Sequence, residues 1–162
     1  MTVEPECVAA GCQILYGFFR EGGRDAEAES YRKRLFQHFD AETGAREERG
    51  GFSDGDVLLR HTLTPEQVEL IRAQIARISD VKAAYLARKE VEHFPDKPLH
   101  VLGLVAATPW YKFRTATADS DLLRTAISTI EFPAETFIVL LRRYKKTKKA
   151  LEALEDSLVY SR

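Results

Sequence analysis

The sequence is poor in the residues that usually announce chemistry on their own. Only two cysteines, one methionine and one tryptophan occur among 162 residues. Cys7 and Cys12 lie five apart in CVAAGCQILYGFF, and on a helix they point in different directions. That argues against an internal disulfide or a paired metal ligand. Both read as small apolar core residues in a reducing, cytoplasmic compartment. Neither sign of charge predominates: 24 basic against 25 acidic residues leave a net charge of −1. No global field therefore draws nucleic acid or an anionic membrane, and an electrostatic partner has to be met locally. The longest apolar run, residues 7–19, is too short to span a bilayer and is interrupted by Gly and Gln. It also lacks the basic start and small-residue cleavage site of a signal peptide.

Catalytic signatures are missing as well. No Ser/His/Asp or Cys/His arrangement carries a local signature of nucleophilic catalysis. FSDGDV at 52–57 gathers Ser53, Asp54 and Asp56 around Gly55, but has neither the further oxygens nor the distal bidentate Glu of a calcium loop. Turn chemistry accounts for it. The adjacent acids of EERGG do not share a helix face, so they are not a catalytic carboxylate pair. His93 and His100 flank a turn without a third ligand and read as surface residues near it. Lys89 fits a strand-end Lys guarding a sheet edge.

What the chain does hold is enough apolar residue, 44%, to bury a core. Its length suits one domain, or a small domain with a helical appendage. Residues 4–21 predict a helix with Val8, Cys12, Leu15 and Phe19 in one stripe, widened by Ile14 and Phe18. Gly22-Gly23 ends it, and a second helix follows with Ala28, Tyr31, Leu35 and Phe39 inward, ending near Glu42. The polar, Gly-rich stretch ETGAREERGGFSDGDV reads as a boundary. The expected organisation is a helical hairpin over 1–47, a linker over 48–62 and an α+β domain over 63–162.

That domain opens on a helix with Thr64 as N-cap, Pro65 in the first position and Gln67 closing a capping box. Val68, Ile71, Ile75 and Ile78 form its buried stripe. Strands are predicted at 81–92 and 99–107 around the turn FPDKP, the second covered on both faces. Asp119 or Ser120 is the expected cap of the next helix. A strand follows at 137–141, and a closing helix at 147–158 uses Leu151, Leu154 and Leu158. The order α-β-β-α-β-α predicts an α+β layer: helices on one face of a small, largely antiparallel sheet.

Several blocks resemble known sequences. LTPEQVELIRAQIARISDVKAAYLARK, HVLGLV, FIVLL and the closing DSLVYSR resemble the C-terminal domain of SseB-type bacterial proteins. They look more like the domain following the peptidase unit of some HtpX-like zinc metallopeptidases. A TPR-like helix pair can precede that domain, and GCQILYGFFREGGRDAEAESYRKRL is similar to one. It departs from the repeat in that Ala28 and Tyr31 lie three apart, where four is usual. What the resemblance implies for activity is negative. Those peptidases hold zinc through HExxH, and none of His38, His61, His93 or His100 begins that pattern. The resemblance therefore implies an accessory region without catalytic residues or cofactor, free-standing or part of a longer chain, that positions or regulates a peptidase.

Two segments remain as candidate partner-binding sites. RRYKKTKK at 142–149 places six basic residues, Arg142, Arg143, Lys145, Lys146, Lys148 and Lys149, within eight, with Tyr144 available to stack. It is an anion or nucleic-acid patch or a solvated helix face, and the second reading is favoured. Its lysines fall at a helix N-terminus, opposite to what the macrodipole prefers. Trp110, Tyr111 and Phe113 form an aromatic loop with the character of a recognition site or a core cover. The hairpin adds a broad apolar surface, because one TPR-like pair cannot bury its own faces. The expected partner is a protein, an N-terminal domain outside this chain, or a second copy. Nucleic acid is disfavoured.

Overall fold

The computed structural model describes residues 5–107 and 115–162. The chain divides into two compact units, Met1–Gly50 and Gly51–Arg162.

The first unit is a helical hairpin of α1 (Pro5–Glu21) and α2 (Asp25–Arg49). Gly23 supplies the turn at φ +69°, a backbone state without penalty only for a residue lacking Cβ. Phe19 stacks on Tyr31 with ring centroids 5.4 Å apart, and the Arg24 guanidinium covers Phe19 at 4.6 Å. Cys12 and Ala28 are buried as expected, whereas Cys7, Val8 and Leu15 are exposed. On α2 the half-buried series Tyr31, Leu35, His38 replaces the expected Tyr31, Leu35, Phe39, and Phe39 faces outward. The helix also runs past Glu42 to Arg49. Polarity alone is no stop signal, since Ala, Arg and Glu in AETGAREER are good helix formers.

The second unit is α+β, as the sequence predicts, and its elements follow in a mixed order. β1 (Leu58–Leu59) precedes α3 (Pro65–Ile75), then β2 (Val81–Lys89), β3 (Leu99–Ala106), α4 (Ala116–Thr129) and β4 (Thr136–Leu140). A 3-10 turn at Leu141–Arg143 leads into α5 (Lys145–Ala153) and β5 (Leu158–Ser161). The expected linker 48–62 is thus divided between the end of α2 and a segment carrying β1.

Thr64 caps α3 as predicted, its side chain accepting the Gln67 N–H at 3.3 Å while Gln67 Oε1 accepts the Thr64 N–H at 2.9 Å. β2 pairs antiparallel with β1, β3 and β5. β4 pairs with β3 in parallel, so the sheet is mixed. Parallel strands need a long crossover, and α4 occupies that connection. β3 lines the whole of one side of β2, so β1 and β5 share the other side, at opposite ends.

Alternation along the strands sorts the core into two layers. Ala84, Leu86, Leu102, Leu104 and Leu140 pack with Ile71 and Ile75 of α3 and Leu122 and Ala126 of α4. Ala87, Val101 and Val139 pack on the opposite face with Leu141 and Leu151. Helices therefore cover both faces rather than the single face expected, because the last helix crosses over after β4. Gly103 lets α5 come close: a Cβ there would sit 2.7 Å from Leu141 Cδ2 and 2.9 Å from Leu151 Cδ1.

Two helix boundaries differ from expectation. Thr115 caps α4 by accepting the Ala118 N–H at 3.2 Å, so Asp119 and Ser120 lie inside the helix. α5 ends at Ala153, and Asp156 takes φ +59°, a state that Asp tolerates better than most residues. The chain then extends into β5, which leaves Leu158 exposed instead of continuing a helical stripe.

Candidate functional site

The loop before β1 ties two elements together through its carboxylates. Asp56 accepts the Ser53 N–H at 2.9 Å, and its own N–H donates to the Ser53 carbonyl at 3.1 Å. This is the turn that Ser, Asp and Gly predict. The same carboxylate meets Lys89 Nζ at 3.0 Å, and Nζ also donates to the Gly51 carbonyl at 3.0 Å. Lys89 is therefore a buried, paired group and not an edge guard in solvent.

Asp54 reaches further. It accepts the N–H of Thr147 at 2.9 Å and that of Lys146 at 3.2 Å, capping the first turn of α5 from outside the helix. The Thr147 N–H chiefly, and then the Lys146 N–H and charge, hold its carboxyl below the usual Asp range. The lysines at the start of α5 thus have a carboxylate among them, which offsets the unfavourable placement against the macrodipole.

The rest of the basic segment is partly tied down. Arg142 and Arg143 both ion-pair with Asp119 Oδ2, Arg143 at 3.4 Å. Asp119 is buried, while both arginines stay about half exposed. Lys148 lies 3.7 Å from Glu152 on α5. Tyr144 is half-buried and packs at a tilt against Phe52, centroids 5.3 Å apart, so one side of its ring is already occupied. Lys145, Lys146 and Lys149 are exposed. The structure brings Arg142 and Arg143 together on one carboxylate and lines the lysines along α5. Trp110, Tyr111 and Phe113 lie outside the described residues.

On the helical hairpin, Ile14 and Phe18 are 71% and 66% exposed. They sit four apart, one above the other on α1, turned away from buried Cys12. Phe36 and Phe39 form a second exposed pair on α2, with the Arg32 guanidinium 5.5 Å from the Phe36 ring. These side chains can bury apolar area against a partner. They have no group for acid–base or nucleophilic chemistry.

Two polar residues are buried where the sequence predicts a helix cap and a surface position, although their periodicity matches the core. Asp119 lies three residues before Leu122 and seven before Ala126, on the same helical stripe that faces the core. His100 precedes Leu102 and Leu104 at strand spacing and is 1% exposed, so it is not the surface residue expected.

Comparison with protein families, curated proteins and solved structures finds no match for this chain.

Proposed function

We propose that this chain is a non-catalytic protein-interaction module whose helical hairpin docks on an apolar α-helical surface of another protein. The observation that carries the reading is the outward apolar set Ile14, Phe18, Phe36 and Phe39 on a hairpin of two helices. Stacked helix pairs bury exposed apolar side chains of this kind against neighbouring helices. No long apolar helix is among the described residues to place this surface in a membrane span. The sequence resemblance supplies a candidate partner, a metallopeptidase unit carrying HExxH, in the same or a neighbouring chain.

The reading is tested in cells with a photo-crosslinking amino acid placed at positions 14, 18, 36 and 39, with polar positions 33 and 152 as controls. Discrete protein adducts are expected from the four apolar positions and not from the controls. The same adducts from all six, or none from the four, defeats the proposal. An adduct whose sequence carries HExxH supports the peptidase-associated role.

A second reading, anion or nucleic-acid binding along 142–149, draws on exposed Lys145 and Lys149, which have no ion pair among the described residues. Reversing both charges should abolish any salt-sensitive retention on a polyanionic resin if that reading holds.

A further inference from the structure

A second cluster of basic groups lies at the corner where β1, β2 and β3 begin or end, remote in sequence from the 142–149 segment. Arg88 of β2 stands directly opposite His100 of β3 and opposite Leu59 of β1. Directly paired residues put their side chains on the same face of a sheet, so Arg88 and His100 rise together. His61 follows Leu59 by two residues in the same segment, and its charge acts on His100. Thr62 Oγ1 lies 3.4 Å from His100 Nε2.

The nitrogens of this cluster are short of partners. Arg88 Nε, His61 Nδ1 and His100 Nδ1 are each buried and unbonded. Arg88 forms no ion pair among the described residues, although its residue is partly buried. A half-buried guanidinium normally finds a carboxylate, because its desolvation is otherwise uncompensated. Here the residue directly opposite is the His100 imidazole, which adds positive charge when protonated and offers an N–H donor when neutral. Arg88 also lines a cavity of about 190 Å³ with Leu59, Val91, Pro95 and Pro98. That is roughly six times the share of liquid volume held by one water. The acid on its wall, Glu90, is exposed and does not bond Arg88.

We infer that this corner is a binding site for a small oxyanion, held by the Arg88 guanidinium with His61, His100 and Thr62 as supporting hydrogen-bonding groups. A guanidinium presents a planar fork of N–H donors that matches two oxygens of a phosphate or carboxylate. The anion supplies the negative charge that no ion pair gives Arg88 among the described residues. Phosphate and carboxylate share this recognition chemistry, and the experiment separates them.

Inorganic phosphate is titrated into the full chain at constant ionic strength, with chloride as the balancing anion and sodium acetate in a parallel series. The imidazole nitrogens are followed by long-range proton–nitrogen NMR. Saturable shifts of the His61 and His100 signals are expected, together with a rise in Tm. Saturation by phosphate alone assigns a phosphate group, and saturation by acetate assigns a carboxylate. Arg88→Met is expected to weaken binding by about tenfold or more, the loss of one charge-assisted pair. Arg88→Lys keeps the charge without the fork, so it carries the comparison should Arg88→Met fail to fold. It is expected to bind several-fold more weakly than the parent chain. Absence of saturable shifts at tens of millimolar in both series overturns the proposal. So does parental affinity in both Arg88 variants.

Discussion

Asp54 accepts the Thr147 N–H at 2.9 Å across 93 positions of sequence, so α5 is capped by a loop that precedes the whole sheet. The interaction joins a turn to a helix start, and its removal should loosen α5 first. Asp54→Ala is expected to lower Tm by a few degrees and to speed amide exchange in the first turn of α5 above that elsewhere. Asp54→Asn, which keeps an acceptor but loses the charge among the lysines, should fall between. Exchange rates in α5 equal to those of the parent chain would refute the cap.

Gly103 sets the distance between the sheet and α5. An added methyl group meets Leu141 Cγ at 2.9 Å as well as the two leucine methyls already described. Gly103→Ala should destabilise the second unit by about 1–3 kcal/mol through overpacking. Combining it with Leu141→Ala should recover part of that loss, since the methyl then has room. Urea unfolding of the two single variants and the double variant reads this directly, and strict additivity would contradict the packing argument.

Lys89 and Asp56 are both largely withdrawn from solvent, with side chains 11% and 19% exposed. Removing either partner takes from the other the charge 3.0 Å away. Asp56→Ala is expected to cost about 3 kcal/mol, near the lower end for broken buried pairs. The double variant Lys89→Met with Asp56→Ala should lose less than the sum of the single changes. A double-mutant cycle with no coupling would show that the two groups act independently.

His100 makes stability depend on pH in a defined window. Burial first, and then the charges of His61 and Arg88, push its pKa from 6.5 down to about 4. The unfolded chain takes up a proton on this ring below about 6.5, whereas the folded chain resists until about pH 4. Stability therefore falls as pH is lowered across that interval, by at most about 3 kcal/mol. His100→Leu should flatten the dependence between those limits. Unfolding midpoints at a series of pH values test it, and an unchanged slope in the variant would count against a buried neutral imidazole.

The parts of the fold that the residues announced were those with local rules behind them. Thr64, Pro65 and Gln67 mark the start of α3 because a capping box is complete within four residues. The alternation of Ala84 and Leu86 against Tyr85 and Ala87 marks the two faces of β2. β1 and β5 were not legible, since two and four residues are too few for a period to show. The spacing of Leu158 predicts a longer α5, and Asp156 interrupts it. Candidate contacts were harder still. Nothing near FSDGDV points to Thr147, and nothing near Arg142 and Arg143 points to Asp119. Such pairs depend on where the crossover through α4 and the turn after β4 bring distant segments.

The outer side of β2 is closed by two short strands, of which β5 comes last in the chain. During synthesis on the ribosome, β2 and β3 emerge well before residues 158–161 exist to cover that side. Most of the β2 backbone on that flank then waits with bare N–H and C=O groups, a template for adventitious pairing between nascent chains.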